Sequence, residues 1–322
     1  MNSLRFEGKG FEYFKIHFVN VILTILSLSF LYPWAKVREF KFLCSSTSLA
    51  DQPFTFTGTT REFFKGYFKT FLVILFIFLL SIAGGILISM YINTIFSTVI
   101  YSVTMIVCMA ISYFFIPIIL HGSLNYRFNN TSWGDIKPIY TGKLSELVPL
   151  YFTSIVLSTL TLGIYNAWYQ VKMAKYLLSN FRFGSLRFDF SGDAKTLFFI
   201  FLKNGFLTLI TCGIYGIWFA KKLYEYSVNN MVVKKDDQEF NLHSDANTLE
   251  VFEMMVGIFL LTVLTLGIGA SWAYIRYYKF IINHCMIPAD FNFSSISEPQ
   301  EEESIRIPVK NWLDKWNPKL IA

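Results

Sequence analysis

Charge is scarce in these 322 residues. Asp, Glu, Lys and Arg make up 16% of the chain, against about a quarter in an ordinary soluble domain. Hydrophobic residues make up 54% and the mean hydropathy is +0.45. So little polar surface excludes a disordered chain and argues against an ordinary soluble enzyme. Cysteine is scarce too. Cys44, Cys108, Cys212 and Cys285 form no CxxC pair, and two of them lie in apolar runs, which argues against a zinc site and a disulfide framework. His17, His121, His243 and His284 share no ligand spacing. There is no GxSxG elbow, P-loop or HExxH, and no carboxylate pair inside an apolar run. No catalytic residue, metal or cofactor is therefore expected, and the chain reads as a non-enzyme.

Apolar and aromatic residues dominate instead. Aromatics reach 19%, led by 35 Phe and 18 Tyr. Six stretches approach the ~20 residues that cross a bilayer core: Phe14–Tyr32, Tyr67–Tyr91, Ile95–Leu120, Leu147–Tyr165, Leu197–Tyr215 and Val251–Ile268. The first has no small-x-small cleavage site after it and reads as a retained membrane segment. A short uncharged link around Asn93 and Thr94 joins the second and third. Residues 296–322, with Glu301, Glu302 and Glu303, read as a polar tail. The net charge is +6, and most basic residues sit beside apolar segments. Anionic phospholipid headgroups are thus the expected partners, and nucleic acid is not. Oligomeric state is not legible.

An internal repeat organises the chain. Thr161-Leu-Gly-Ile-Tyr165-Asn-Ala-Trp168 recurs as Thr211-Cys-Gly-Ile-Tyr215-Gly-Ile-Trp218 and as Thr265-Leu-Gly-Ile-Gly269-Ala-Ser-Trp272, with a worn copy at Ser27–Trp34. A second motif, an aromatic, one residue, then Gly, ends at Gly8, Gly58, Gly142 and Gly192. From the opening Gly to the Trp is 26 residues in three units. These marks divide residues 1–295 into five tandem units: 8–58, 58–142, 142–192, 192–244 and 244–295. The second unit is longer and holds two long apolar runs. With two crossings its ends lie on one side of the membrane, so the other four units are expected to return to their starting side as well. Each is then a helical hairpin turning at the Gly-Ile-Tyr motif, where Gly breaks a helix most easily. Short extended pieces such as Arg187–Phe190 link the units. The predicted fold class is an all-α integral membrane protein of tandem helical hairpins. Lys and Arg, which favour the cytoplasmic side, then cluster at the unit ends.

Two stripes are candidates for function. Four residues after each Trp stand Arg38, Lys172, Lys222 and Arg276, and seven after stand Lys41, Lys175, Glu225 and Lys279. This spacing shares one helical face. The seven basic residues could converge on an anion, or anchor the helices at the headgroups beside their Trp. The first helices carry Asn20, Ser154 and Asn204, then Thr24, Ser158, Thr208 and Thr262 four residues on. Polar groups do not face lipid, so this stripe points inward, as a polar pathway or as interhelical hydrogen-bond glue.

The Thr-Leu-Gly-Ile-Tyr…Trp motif, the basic residues after it and the Phe-x-Phe-x-Gly linkers resemble the YjgN family of bacterial inner-membrane proteins, from Phe6 to about Phe293. Ser29 replaces the motif Gly in the first unit, and Gly269 replaces Tyr in the fifth. The resemblance implies a multi-pass protein of the bacterial inner membrane and no particular activity. Transport or channel-like passage of a small anionic solute is the leading expectation. The alternative is a non-transporting protein that binds anionic lipid or an envelope partner.

Overall fold

Threonine and glycine set where three of the helices stop. The computed structural model describes residues 4–91, 94–235 and 238–288, with Phe291, Phe293 and Ile296. The link at Asn93, the unit boundary at Ser295 and the tail beyond Ile296 lie outside the described residues. In chain order the helices are α1 (Gly10–Leu26), α2 (Tyr32–Ser45), α3 (Thr60–Tyr91), α4 (Thr94–Phe114), α5 (Ile116–Asn129), α6 (Leu144–Leu160), α7 (Asn166–Ser179), α8 (Ala194–Ile210), α9 (Gly216–Asn229), α10 (Thr248–Leu264) and α11 (Ala270–Asn283). The protein is thus mostly α. Four consecutive pairs, α1/α2, α6/α7, α8/α9 and α10/α11, each join 17 residues to 14.

The Thr-Leu-Gly-Ile motif forms the turn of each pair. Leu162 and Gly163 take φ of 51° and 90°, Cys212 and Gly213 50° and 95°, and Leu266 and Gly267 50° and 89°. Such left-handed backbone suits Gly far better than any residue with a Cβ. In the worn copy Ser29 holds the Gly position at φ 69°. The motif Thr closes the turn: Tyr165 N–H donates to Thr161 Oγ1 (3.0 Å), Tyr215 N–H to Thr211 Oγ1 (2.9 Å) and Leu31 N–H to Ser27 Oγ (3.0 Å).

The third helix breaks the pattern. α3 has 32 residues, roughly 48 Å at ~1.5 Å per residue, against roughly 26 Å for its 17-residue counterparts. Its segment Thr60–Leu87 is, among the described residues, the one helix long and apolar enough to cross a membrane alone, with mean hydropathy 2.7 and only 6% of that window buried. Beyond its start it packs mainly on α4, which returns the chain to α5.

Neighbouring helices pack in sequence, and α11 packs back on α1, so the helices close into a ring. At the closure Trp272 stacks on Phe14 (centroids 4.1 Å), and Phe6 N–H donates to Asn283 Oδ1 (2.8 Å). The linkers form short antiparallel strands at one end of the ring. They are β1 (Leu4–Phe6), β2 (Thr47–Leu49), β3 (Gln52–Pro53), β4 (Thr55–Phe56), β5 (Thr131–Ser132), β6 (Pro138–Tyr140), β7 (Phe181–Phe183), β8 (Leu186–Phe190), β9 (Met231–Lys235), β10 (Gln238–Asn241), β11 (His243–Ser244) and β12 (Cys285–Met286). The largest sheet runs β10-β9-β8-β7-β6, beside β1-β2-β3 and the pairs β4–β5 and β11–β12. Leu49, Trp133, Phe183, Leu186, Val233 and Leu242 build one apolar core there.

The aromatic-x-Gly motif has a steric reason. At Gly8, Gly58, Gly142 and Gly192 the ring of the aromatic two residues earlier covers the glycine, leaving no room for a Cβ. Tyr126, Tyr176 and Tyr226 then tie a second helix to the next unit, donating to the carbonyls of Thr59 (2.9 Å), Lys143 (2.9 Å) and Asp193 (2.7 Å). The N–H groups of Thr57, Thr141 and Ser191 donate to Asn130, Asn180 and Asn230 carbonyls at 2.8–2.9 Å. The ends of the helix pairs are thereby gathered in one strand layer, with the Gly-Ile turns away from it.

Ser29→Gly is expected to stabilise the protein by about 1 kcal/mol, because it relieves one left-handed non-glycine residue. Gly213→Ala is expected to destabilise it by more than about 1 kcal/mol. Thermal unfolding in detergent micelles measures both, and equal midpoints for wild type and both variants would contradict the assignment of the turn.

Candidate headgroup face and internal chamber

The seven basic residues of the first stripe stand on the outside, and Arg38, Lys172, Lys222 and Arg276 are each occupied within their own unit. The Arg38 guanidinium lies 5.1 Å over the Trp34 ring. Lys172 Nζ donates to Tyr165 OH at 2.7 Å, and Tyr165 stacks on Trp168. Lys222 pairs with Glu225 at 2.9 Å, where Lys221 also pairs at 3.3 Å. Arg276 reaches across its hairpin to the Glu253 carbonyl (3.0 Å) over the space left by Gly257. Lys41, Lys175 and Lys279 are exposed. The structure does not bring these residues together at one point, and none of them lines the cavities described below.

The polar stripe is internal to the helix pairs except at Thr262, which is exposed and does not point inward as expected. Asn20 is buried and its Nδ2 donates across the pair to the Ala35 carbonyl (3.0 Å). Asn204 Nδ2 donates to the Ile200 carbonyl (2.8 Å), and Ser154 is buried. Thr208 and Thr262 donate to the carbonyls four residues back, at 2.7 and 2.8 Å. Thr24 and Ser158 are half-buried, and their carbonyls accept the turn N–H groups of Ser29 and Gly163. Neither cavity is lined by any of these seven.

Three features escape a reading by repeats. Glu39 is buried where the other units carry Met173, Leu223 and Tyr277. It accepts from Tyr13 OH and from Lys36 Nζ (2.6 Å), with His17 at 3.6 Å. Next, a cleft of about 510 Å³ opens between α2, α3 and α5, lined by Lys36, Glu62, Tyr67, His121 and Asn125. Register set by Tyr126 and Tyr176 puts Gly122 where Lys172 stands and Ile118 where Trp168 stands. Open space at Gly66 and Gly122 makes the cleft. Finally, the strand layer surrounds a partly open chamber of about 330 Å³, walled by Phe40, Phe54, Phe183, Leu186, Val233 and Phe291 among others. Among the described residues Arg127 is its one charged lining residue; it is exposed, with its guanidinium 5.0 Å over the Phe40 ring. Burial, then the nearby Asp245 charge, push the Cys285 thiol in this wall up to about 11, so it stays protonated at neutral pH. On the outer strands burial favours the neutral form of Asp189. The Phe190 N–H and Lys234 (3.1 Å) nevertheless hold its carboxyl below the usual range.

Large apolar residues lie exposed along the helices and at the turns, a surface that water does not tolerate over this extent. These features define a helical membrane protein. The chain belongs to a family described as bacterial proteins of unknown function (DUF898), whose profile matches residues 1–191 and 219–307. It is also similar to the inner membrane protein YjgN of Salmonella typhimurium (strain LT2), 33% identical over 72 residues. That match covers 22% of this chain and 18% of that protein. No solved structure matches.

Gly122→Ala adds a methyl into open space within a helix and is expected to stabilise by about 0.5–1 kcal/mol. Gly269→Ala drives its Cβ into the Leu261 carbonyl and is expected to destabilise. Unfolding midpoints of the two variants in the same detergent test this pair, and shifts of the same sign would contradict the packing described.

Proposed function

We propose that this protein is an inner-membrane protein of five tandem units that grips anionic lipid headgroups with a ring of Trp, Arg and Lys. Its four short hairpins insert into one leaflet, and α3 and α4 cross the bilayer. The observation that carries the reading is the constant depth of the basic ring. Arg38, Lys172, Lys222 and Arg276 each stand six residues into their helix, roughly 9 Å from its turn at ~1.5 Å per residue. The turns themselves are apolar and open: Leu28, Leu162 and Leu266 are 84%, 95% and 93% exposed. A loop emerging into water on the far side would not present leucine in this way. On the second helices only Lys36 and Lys221 among Asp, Glu, Lys and Arg stand between a turn and this ring, and roughly 9 Å is about a third of a ~30 Å hydrocarbon core, a depth from which these long side chains reach the phosphates. Between Lys69 and Arg127, by contrast, no Asp, Glu, Lys or Arg occurs. The remaining length of α3, Thr70–Tyr91, is roughly 33 Å, enough for a full crossing.

Each Lys or Arg beside an anionic surface contributes about 1 kcal/mol, and Trp rings favour the same interface. Passage of a small anionic solute has less support, because neither stripe lines the cleft or the chamber. Replacing Arg38, Lys172, Lys222 and Arg276 together with Gln is expected to cut the phosphatidylglycerol that co-purifies with the protein at least twofold. Wild-type proteoliposomes are expected to take up chloride and phosphate no faster than empty liposomes. Unchanged lipid content would contradict the headgroup reading, and uptake lost in the quadruple variant would establish the solute reading in its place.

A further inference from the structure

The chamber inside the strand layer is built by the whole chain. Its wall draws on Leu4 at the start, Phe40 and Leu43 on α2, Phe128 on α5, the sheet residues Phe183, Phe188 and Val233, and Ile296 at the end of the described residues. The wall is almost wholly hydrocarbon and aromatic ring. Its few polar groups place little demand on a ligand. Thr131 Oγ1 already donates to the Arg127 carbonyl (2.7 Å) and stands 3.9 Å from Cys44 Sγ. The Cys285 thiol is protonated and weakly polar.

Arg127 is the exception. A guanidinium carries five donors and a charge that proteins do not remove. Among the described residues no carboxylate pairs with it. Its described contact is the Phe40 ring face, a cation–π arrangement that orients the group without neutralising it. Arg127 is itself exposed, so it stands where the apolar chamber opens to solvent, and a guanidinium there without a carboxylate partner can meet the anionic head of a ligand whose apolar part lies inside. The volume, about 330 Å³, lies at the small end of the ~300–1,000 Å³ of ligand sites. It suits one hydrocarbon chain and not two.

We propose that this chamber binds a single-chain amphiphilic anion, with its carboxylate or phosphate head on Arg127 and its hydrocarbon chain along the aromatic wall. The site is distinct from the outer basic ring, so the failure of either assignment leaves the other standing.

The test is equilibrium binding of radiolabelled dodecanoate to the full chain in phosphatidylcholine nanodiscs, with empty discs subtracted. One dodecanoate per chain is expected, with at least tenfold weaker binding to Arg127→Gln. Dodecanol should bind both proteins equally, and acetate should not compete. Dodecyl phosphate competing as well as dodecanoate places the preference on charge, within the proposal. No binding to the wild type, binding untouched by Arg127→Gln, or equal competition by acetate would each overturn it. Should Arg127→Gln fail to fold, Leu186→Phe keeps the arginine and fills the chamber. It is expected to unfold at the wild-type temperature and to lose dodecanoate, and full retention of binding would overturn the proposal.

Discussion

A polypeptide that turns inside an apolar medium must satisfy its own backbone, because no water is there to do so. In the proposed one-leaflet arrangement this requirement governs the helix pairs. From Thr161 to Asn166 every N–H is taken: five by backbone carbonyls and that of Tyr165 by the Thr161 hydroxyl. The same holds from Thr211 to Gly216. The left-handed pair at Leu162–Gly163 reverses the chain within five residues, and the threonine supplies an acceptor that the backbone lacks. With its donors spent internally, the turn can carry leucine and isoleucine outward. Uniform 17- and 14-residue arms follow, and with them a uniform level for the charges along the second helix.

The ring and the strand layer grow from that uniformity. Each second helix returns to the same end as the first began, so the linkers meet and pair. Aromatic-x-Gly segments pack a ring over a glycine at this junction, and the Tyr at each second helix fastens it to the next first helix. Because all the linkers converge, their inward side chains must fill the centre of a ring. Phe183, Leu186, Val233 and Leu242 do so incompletely, which leaves the chamber at whose opening Arg127 stands.

Much of this was legible in the residues. Aligning Trp34, Trp168, Trp218 and Trp272 marks the turn, the basic positions and the buried Asn20, Ser154 and Asn204, because each recurs at a fixed helical spacing. The extended linker at Arg187–Phe190 was legible from its place at a unit boundary, though its pairing into a sheet was not. Other features were not. Closure of the ring depends on α11 meeting α1 across nearly the whole chain, and local pattern carries no such information. The other strands are mostly two to five residues long, too short for periodicity. The chamber wall is assembled from residues scattered between Leu4 and Ile296, each ordinary in its own segment. Glu39, Gly122 and Arg127 are departures of single units, and a repeat alignment conceals them unless they are sought as exceptions.

The account turns on hairpins that end within the bilayer. The most direct measurement replaces Cys44, Cys108, Cys212 and Cys285, places one cysteine at Leu162 or Leu266, and attaches a nitroxide to it in reconstituted membranes. Collision with dissolved oxygen is predicted to be high and collision with a water-soluble nickel chelate low, as for a probe in hydrocarbon. In intact cells the same cysteines are predicted to resist an impermeant thiol reagent. Rapid labelling from outside, with high access to the chelate, would mean that the hairpins cross the membrane, and the one-leaflet account would be wrong.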